Sequence, residues 1–313
     1  MSRDALLVVS FGGPEKPEDV TPFLQNVLRG RNVPPERAAQ VAQHYLRFGG
    51  RSPLNDQNRA LIAALRAELD THGPRLPIYW GNRNWSPFLA DAVAQMASDG
   101  VTRAFAFITS AFNSYSGCRQ YLEDIARARA EVGERAPVIQ RLPVICHHPG
   151  YVRACADGLR AALGEGEAPA VVFTAHSIPV SMARGCAYEA QLRETAGHVA
   201  GAAGVPDWTL AFQSRSGPAS QPWLEPDIND HLRRLAPEGA RRVVVVPIGF
   251  LSDHMEVVYD LDMEARATAH ALGLDFTRAP TAGTHPALIT AIREQLSGPW
   301  PAGCQADCCP AGA

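Results

Sequence analysis

Val243 to Val246 are four β-branched residues in a row, and no other stretch constrains the fold as much. Such a run has no polar face to turn toward water, so it reads as a strand covered on both sides, as in a parallel sheet. Pro247 and Gly249 end it. The next segment is patterned as a helix, with Asp253 expected at its N-cap. Glu256, Asp260 and Glu264 fall at i, i+4 and i+8, along one side of it. Like charges at this spacing weaken a helix unless a cation offsets them. Elsewhere such a row would be a solvated face. Here it begins at the carboxyl end of a buried strand, where α/β proteins place their ligands.

The rest of the chain repeats this strand-then-helix plan. Strand patterns cover residues 5–11, 76–80, 103–108, 138–144, 170–174, 208–213, 241–246 and 275–278. Helical patterns separate them, among them 86–98, 120–132, 187–203, 224–235, 253–272 and a closing helix at 286–296. Strands alternating with helices imply parallel sheets with right-handed crossovers. Local likenesses point to an internal duplication: VVSFGGP at 8–14 resembles VFTAHSIP at 172–179, and WSPFLADAV at 85–93 resembles PWLEPDINDHL at 222–232. The expected fold is α/β, with two Rossmann-like domains whose parallel sheets face each other across a central cleft. The domains span 1–160 and 161–297, the closing helix being free to pack on the first, and a Cys-rich tail covers 298–313. Strand ends carrying Phe11, Trp85, Asn113, His176, Gln213 and Asp253 would line the cleft.

Several classes are disfavoured. A net charge of −3 offers nothing to nucleic acid or an anionic membrane surface. The longest clean apolar run, near Val243–Leu251, is far short of the roughly 18 residues of a membrane span. Residues 1–11 lack a basic n-region and a cleavage site, so the expected compartment is the cytoplasm. Neither GxGxxG after the first strand nor GxxxxGK[ST] occurs, which argues against dinucleotides and nucleoside triphosphates.

His176 follows the buried run Val171-Val172-Phe173, with Ser177 and Pro179 turning the chain beside it. A histidine there is a base, a ligand or a satisfied core residue. Glu256 stands at the matching point of the same half. A neutral imidazole and a carboxylate row sharing one cleft could exchange protons or hold a metal. His254 could orient Glu256 or simply pack.

TAHSIP at 174–179, PIGFLSDHMEVVYDLD at 247–262 and QPWLEPD at 221–227 resemble the characteristic segments of ferrochelatases. FGGP at 11–14, LRGR at 28–31 and FGGRSPLN at 48–55 carry the likeness into the first half, so that it covers about residues 4–296. The resemblance implies insertion of Fe²⁺ into a porphyrin for haem biosynthesis, with loss of two pyrrole protons. Coproporphyrin III and protoporphyrin IX are the family's two substrates. The chain looks most like ferrochelatases of monoderm-type bacteria, which favours coproporphyrin III. By the same resemblance His176 and Glu256 are the catalytic pair and the Fe²⁺ ligands. Asp260 and Glu264 extend a ladder that passes protons out or metal in, on a helix with a π-bulge. Phe11, Arg29, Arg31, Ser52 and Tyr121 match porphyrin-side residues. Some bacterial relatives have tyrosine in place of Phe11, where a phenol can ligate the product iron and phenylalanine cannot.

Cys304, Cys308 and Cys309 crowd the tail. Some ferrochelatases hold a [2Fe–2S] cluster with three C-terminal cysteines and one from the body, which the resemblance assigns to Cys155, with Cys146 in reserve. Zinc suits four thiolates equally well. Expected partners are the porphyrin, ferrous iron and, peripherally, a membrane or a haem-pathway enzyme, with the chain itself a monomer. Two rival readings remain: a non-catalytic porphyrin or haem carrier on the same fold, and a chelatase for another metal such as cobalt or nickel. A carrier has no need of the carboxylate ladder.

Overall fold

A computed structural model describes residues 4–30, 34–218, 220–298 and 308–311. Its strands are β1 (Asp4–Ser10), β2 (Ile78–Asn82), β3 (Arg103–Ile108), β4 (Val138–Arg141), β5 (Ala170–His176), β6 (Trp208–Gln213), β7 (Arg242–Val246) and β8 (Asp275–Arg278). The helices are α1 (Pro17–Leu28), α2 (Pro35–Arg47), α3 (Leu54–His72), α4 (Leu89–Ser98), α5 (Gln120–Val132) and α6 (Pro149–Leu163). They continue with α7 (Val180–Arg184), α8 (Tyr188–Ala203), α9 (Ile228–Leu235), α10 (Met255–Val257), α11 (Arg266–Ala271) and α12 (Pro286–Gln295). Two π-helical stretches, π1 (Tyr115–Arg119) and π2 (Val258–Ala265), lie before α5 and between α10 and α11. None of the described helices is long and apolar enough to cross a membrane.

The strands form two four-stranded sheets, β2-β1-β3-β4 and β6-β5-β7-β8, parallel throughout. The two orders are the same, as a duplication would give. Equivalent details repeat: the Asn82 N–H donates to the Pro87 carbonyl (2.7 Å), and the Phe212 N–H donates to the Pro226 carbonyl (2.8 Å). These bonds explain why α4 and α9 start later than the patterns at 86–98 and 224–235 suggest. Phe88 and Asp227 still bridge to the preceding strand ends, and helix begins only after them. Asp227 then caps α9, its Oδ1 accepting from the Asn229 N–H at 2.8 Å.

Each sheet is one layer of a separate compact unit. The first unit takes in Met1–Thr109 and Gln120–Pro143; the second takes in Ser110–Arg119 and Val144–Glu294. The chain thus passes from one unit to the other at 109/110, 119/120, 143/144 and 294/295. α6 goes with the second sheet, where the Tyr151 hydroxyl donates to the Ile248 carbonyl at 2.6 Å. The closing helix α12 also lies almost wholly in the second unit, with Gly150 of α6 seated against Ala287.

The valine run is central, as its composition requires. β7 pairs with β5 on one side and β8 on the other, and Val243 to Val246 are all buried. Val243 and Val245 face Phe276, Leu232 and π2 residues such as Leu261. Such burial stabilises by roughly 1.5–3 kcal/mol per side chain. After β7 the backbone passes directly over the end of β5, and the Gly249 N–H donates to the Thr174 carbonyl at 3.0 Å. A Cβ at Gly249 would lie 2.6 Å from that of Ala175. Glycine is therefore required there by space, and the close approach carries residues 250–256 to the end of β5. Gly249→Ala should destabilise the protein by about 1–3 kcal/mol through overpacking, read as a lowered midpoint in chemical denaturation; an unchanged midpoint would show that the loop can move aside.

Candidate active site

The order of the second sheet reverses direction at β5, which is followed in sequence by β6 on one side and β7 on the other. Such switch points, at the carboxyl ends of parallel strands, are where α/β sheets open to ligands. His176 is the last residue of β5, two places beyond where its sequence pattern ended the strand. Its Nδ1 donates to the Ser177 carbonyl. That fixes the ring and leaves Nε2 pointing at Glu256, whose Oε2 is 3.5 Å away. The His176 side chain is 30% exposed and that of Glu256 50%, so the pair is open to solvent and to a substrate.

Burial works to lower the His176 pKa, but the Glu256 charge and contact, with the Ser177 carbonyl, outweigh it and raise the value to about 9. The resting pair is thus imidazolium and carboxylate. His254 behaves oppositely. Burial lowers its pKa, with Glu256 working against that. Its Nδ1 accepts from the Glu256 N–H at 3.2 Å, and its ring packs edge-on to Phe250, 4.9 Å between centroids. His254 thus caps the turn at the Glu256 N–H and packs on Phe250.

His254, and not Asp253, is the N-cap of α10. Asp253 is taken up elsewhere. Its oxygens lie 3.0 and 3.2 Å from the Arg278 guanidinium, and it accepts from the Thr281 hydroxyl at 3.2 Å. Arg278 also grips Asp262 of π2 at 2.8 and 2.9 Å, tying the start of the helix to its middle. No local sequence signal marks Arg278, because its partners are far away along the chain.

The helix carrying the acidic row is wide-turned, as the resemblance implied: the Arg266 N–H bonds to the Leu261 carbonyl, five residues back. Glu256 and Glu264 are exposed and Asp260 is half-buried between them. Burial raises the Asp260 pKa to about 7, against the pull of a hydrogen bond from the Ser214 hydroxyl, with Glu256 and Glu264 adding to the rise. A carboxyl balanced near neutrality can both hold and release a proton at physiological pH. Gln213, at the end of β6, donates to the Glu256 carbonyl at 2.7 Å. The sequence placed Gln213 near the site but gave no reason to single out Ser214.

In the first unit, Phe11 follows β1 and packs edge-on to Phe23, 6.2 Å between centroids. Ser52 is buried, its N–H donating to the Pro14 carbonyl at 2.8 Å and its hydroxyl pressed against Gly13. Arg29 is exposed, its guanidinium donating to Asn26 Oδ1 at 2.7 Å. Tyr121 lies apart from these, buried in the core of the first sheet with the Arg83 guanidinium 4.6 Å above its ring. Arg31 lies outside the described residues.

Among the described residues, Cys155 is not among the thiols that act on Cys309. Its thiol is buried in α6 beside Tyr151, and burial pushes its pKa up to about 12. Cys146 is likewise buried, its pKa pushed up to about 11. The tail meets other thiols. Cys309 is pushed upward by burial and by Cys308, whose sulfur is 3.5 Å away, with Cys118 of π1 and Cys186 also acting on it. Pro310 sits against Gly185, beside Cys186. Cys304 lies outside the described residues. Among the described residues, no group of three or more His, Cys, Asp or Glu is arranged to hold a metal ion, so the His176–Glu256 pair is at most part of a coordination sphere.

Comparison with known proteins bears on the family and the fold. Residues 3–297 match the profile of the Ferrochelatase family. A ferrochelatase from Rhodopirellula baltica is 52% identical, the match covering 98% of this chain and 93% of the relative. A coproporphyrin III ferrochelatase from Frankia alni is 51% identical over 98% of this chain and 86% of its own length. One from Nocardia farcinica is 51% identical over 95% and 90%. Among solved structures, SirB from Bacillus subtilis with Fe³⁺ shares the fold at a TM-score of 0.59 and 13% identity, with 94% of each chain covered. CbiX, the terminal enzyme of sirohaem biosynthesis in denitrifying bacteria, does so at a TM-score of 0.53 and 16% identity, covering 94% of this chain and 98% of its own.

Two values set the pH behaviour of the site. His176 is raised from an ordinary 6.5 to about 9, so its ion pair stabilises the fold fully below 6.5 and that contribution is lost as pH rises through about 9. Asp260, raised from 3.8 to about 7, lowers stability as pH rises across that interval. The His176 imidazole, followed by NMR, should therefore titrate near 9. In Glu256→Gln it should fall well below that, because burial is then opposed only by the Ser177 carbonyl and Asp260. A wild-type midpoint at or below 6.5 would rule out the ion pair.

Proposed function

The chain belongs to the ferrochelatase family of porphyrin metal chelatases, and we propose that it inserts Fe²⁺ into coproporphyrin III in preference to protoporphyrin IX. The observation that carries the metal-insertion part of this reading is the 3.5 Å pairing of His176 with Glu256 at the sheet's switch point, backed by Asp260 near neutrality.

Metallation replaces two pyrrole N–H protons by one divalent ion, so two protons must leave the macrocycle. In the resting pair His176 is already charged. It becomes a base only after its Nε2 proton has passed to Glu256 or the ion has displaced it. Glu256 then hands protons to Asp260, and Asp260 to the exposed Glu264 and solvent. The deprotonated His176 Nε2 and Glu256 Oε2 are the two donors offered to the incoming iron, which the macrocycle then takes over. A porphyrin carrier would need none of these carboxylates. Arg29 and Arg31 are assigned to the propionates and Phe11 to the apolar face of the ring. Coproporphyrin III has four propionates and protoporphyrin IX two, so a basic rim favours the former. The names of the Frankia and Nocardia relatives support that choice.

His176→Ala should lower the rate of iron insertion by roughly 10²–10⁴-fold, the range of a lost general base, in a protein that still folds cooperatively and melts lower only by what the lost ion pair contributed. Activity within a few-fold of wild type would remove His176 from the mechanism. Anaerobic turnover of the two porphyrins side by side tests the substrate. Equal kcat/KM values, or a preference for protoporphyrin IX, would refute the assignment.

We also propose a [2Fe–2S] cluster on the tail. Cys118, which acts on Cys309, is the body thiolate we assign to it, beside Cys304, Cys308 and Cys309 of the tail; the described thiols are not gathered into a metal-holding group, so the cluster would have to draw them together. Cys155, enclosed beside Tyr151, does not fit. The cluster would fasten the tail to the second unit, and no step of the reaction is routed through it. Anaerobically purified protein should carry iron and acid-labile sulfide in equal amounts, retained in Cys155→Ser and lost in Cys118→Ser. Stoichiometric zinc without sulfide would replace the cluster by a zinc site.

A further inference from the structure

Ser214 follows β6 directly and is held at φ 63°, in the left-handed region. Only one other non-glycine residue is so held among the described residues, Cys309. A side chain with a Cβ is disfavoured in that region, and glycine satisfies such turns without strain. Outliers of this kind persist where the surrounding structure fixes them, often because the side chain serves the site. Here the hydroxyl of Ser214 donates to Oδ2 of Asp260. The neighbouring Gln213 is fully buried, pairs in register with His176, and donates to the Glu256 carbonyl. The end of β6 therefore grips two successive members of the acidic row, one through the backbone and one through the carboxyl.

We propose that Ser214 is a positioning residue of the proton row, its strained backbone serving to place a hydroxyl on one oxygen of Asp260 and leave the other for the travelling proton. The proposal rests on the reading that the row carries protons. The step balances simply. An O–H bond breaks at the Glu256 carboxyl and one forms at Oδ1 of Asp260. Ser214 keeps its own proton and stays hydrogen-bonded to Oδ2. When Asp260 passes the proton toward Glu264, the same oxygen is free again. Without the hydroxyl both oxygens of Asp260 are equivalent, and the carboxyl can turn out of line between its neighbours.

Ser214→Gly separates this role from a structural one, because glycine suits the left-handed backbone and removes only the hydroxyl. In the full-length protein, Ser214→Gly should melt at or above the wild-type temperature. Its kcat for iron insertion should fall roughly ten- to hundred-fold, the size of one hydrogen bond to a charged group. KM for the porphyrin should stay within two-fold. Asp260→Asn should be slow by itself, and adding Ser214→Gly to it should cause no further loss. A Ser214→Gly kcat within two-fold of wild type, while Asp260→Asn is slow, would overturn the role of Ser214 alone. So would a full additive loss in the double variant. Wild-type turnover by Asp260→Asn would instead remove the proton row, and the proposal with it.

Discussion

The working end of the second unit depends on β5 pairing in parallel with strands on both sides. Parallel pairing brings the carboxyl ends of β6, β5 and β7 to one edge, and the reversal of order at β5 opens that edge. His176, Gln213 and the 247–256 loop meet there because each follows directly from a strand of the same sheet. Gly249 makes the last of these meetings close, since only a residue without a Cβ lets the loop cross Ala175. The buried valines of β7 hold that loop's starting point in the core, and the site takes its rigidity from them.

Upon that scaffold the site sets Glu256 between two histidines in opposite states. His176 is charged by its contact with the carboxylate, and His254 stays neutral while accepting the Glu256 N–H. One carboxylate thus has a charged imidazole beside its oxygen and a second imidazole accepting from its backbone N–H. Behind it Asp260 is poised between burial, which favours the neutral acid, and Ser214, which favours the anion. Neighbouring groups whose environments push their proton affinities apart can take distinct roles in one reaction.

Much of this was legible in the sequence. The valine run, the repeated strand-helix plan and the turn after residue 174 fixed the class of fold and the position of His176. The row at Glu256, Asp260 and Glu264 was visible as spacing alone. What could not be seen was anything decided by residues distant in the chain. Asp253 has the right chemistry for an N-cap, and only Arg278 at the end of β8 diverts it. Ser214 is an ordinary residue until its φ is known. Cys155 stands at a plausible spacing for a tail ligand, yet the thiols that act on Cys309 belong to a π turn and to the bend after α7. The first-half residues split likewise: Phe11 and Ser52 border the end of β1, while Tyr121 is enclosed beneath Arg83, which its sequence neighbours do not reveal.

The π-helical stretch at Val258–Ala265 has an implication for how this chain can change over time. Exposed helix surfaces ordinarily tolerate substitution, and a changed residue affects little beyond itself. A wide turn is in effect a helix with a residue added, so here length becomes the guarded quantity. Removing one residue between 258 and 265 would let the ordinary pitch return while α11 keeps its register, because the added residue is what the wide turn absorbs. The change would fall inside the stretch, turning Asp260 and Asp262 by up to about 100° away from Ser214 and Arg278. A single-codon deletion there would leave the flanking elements in place and undo the site, and the number of residues in this turn is as much a part of the site as His176.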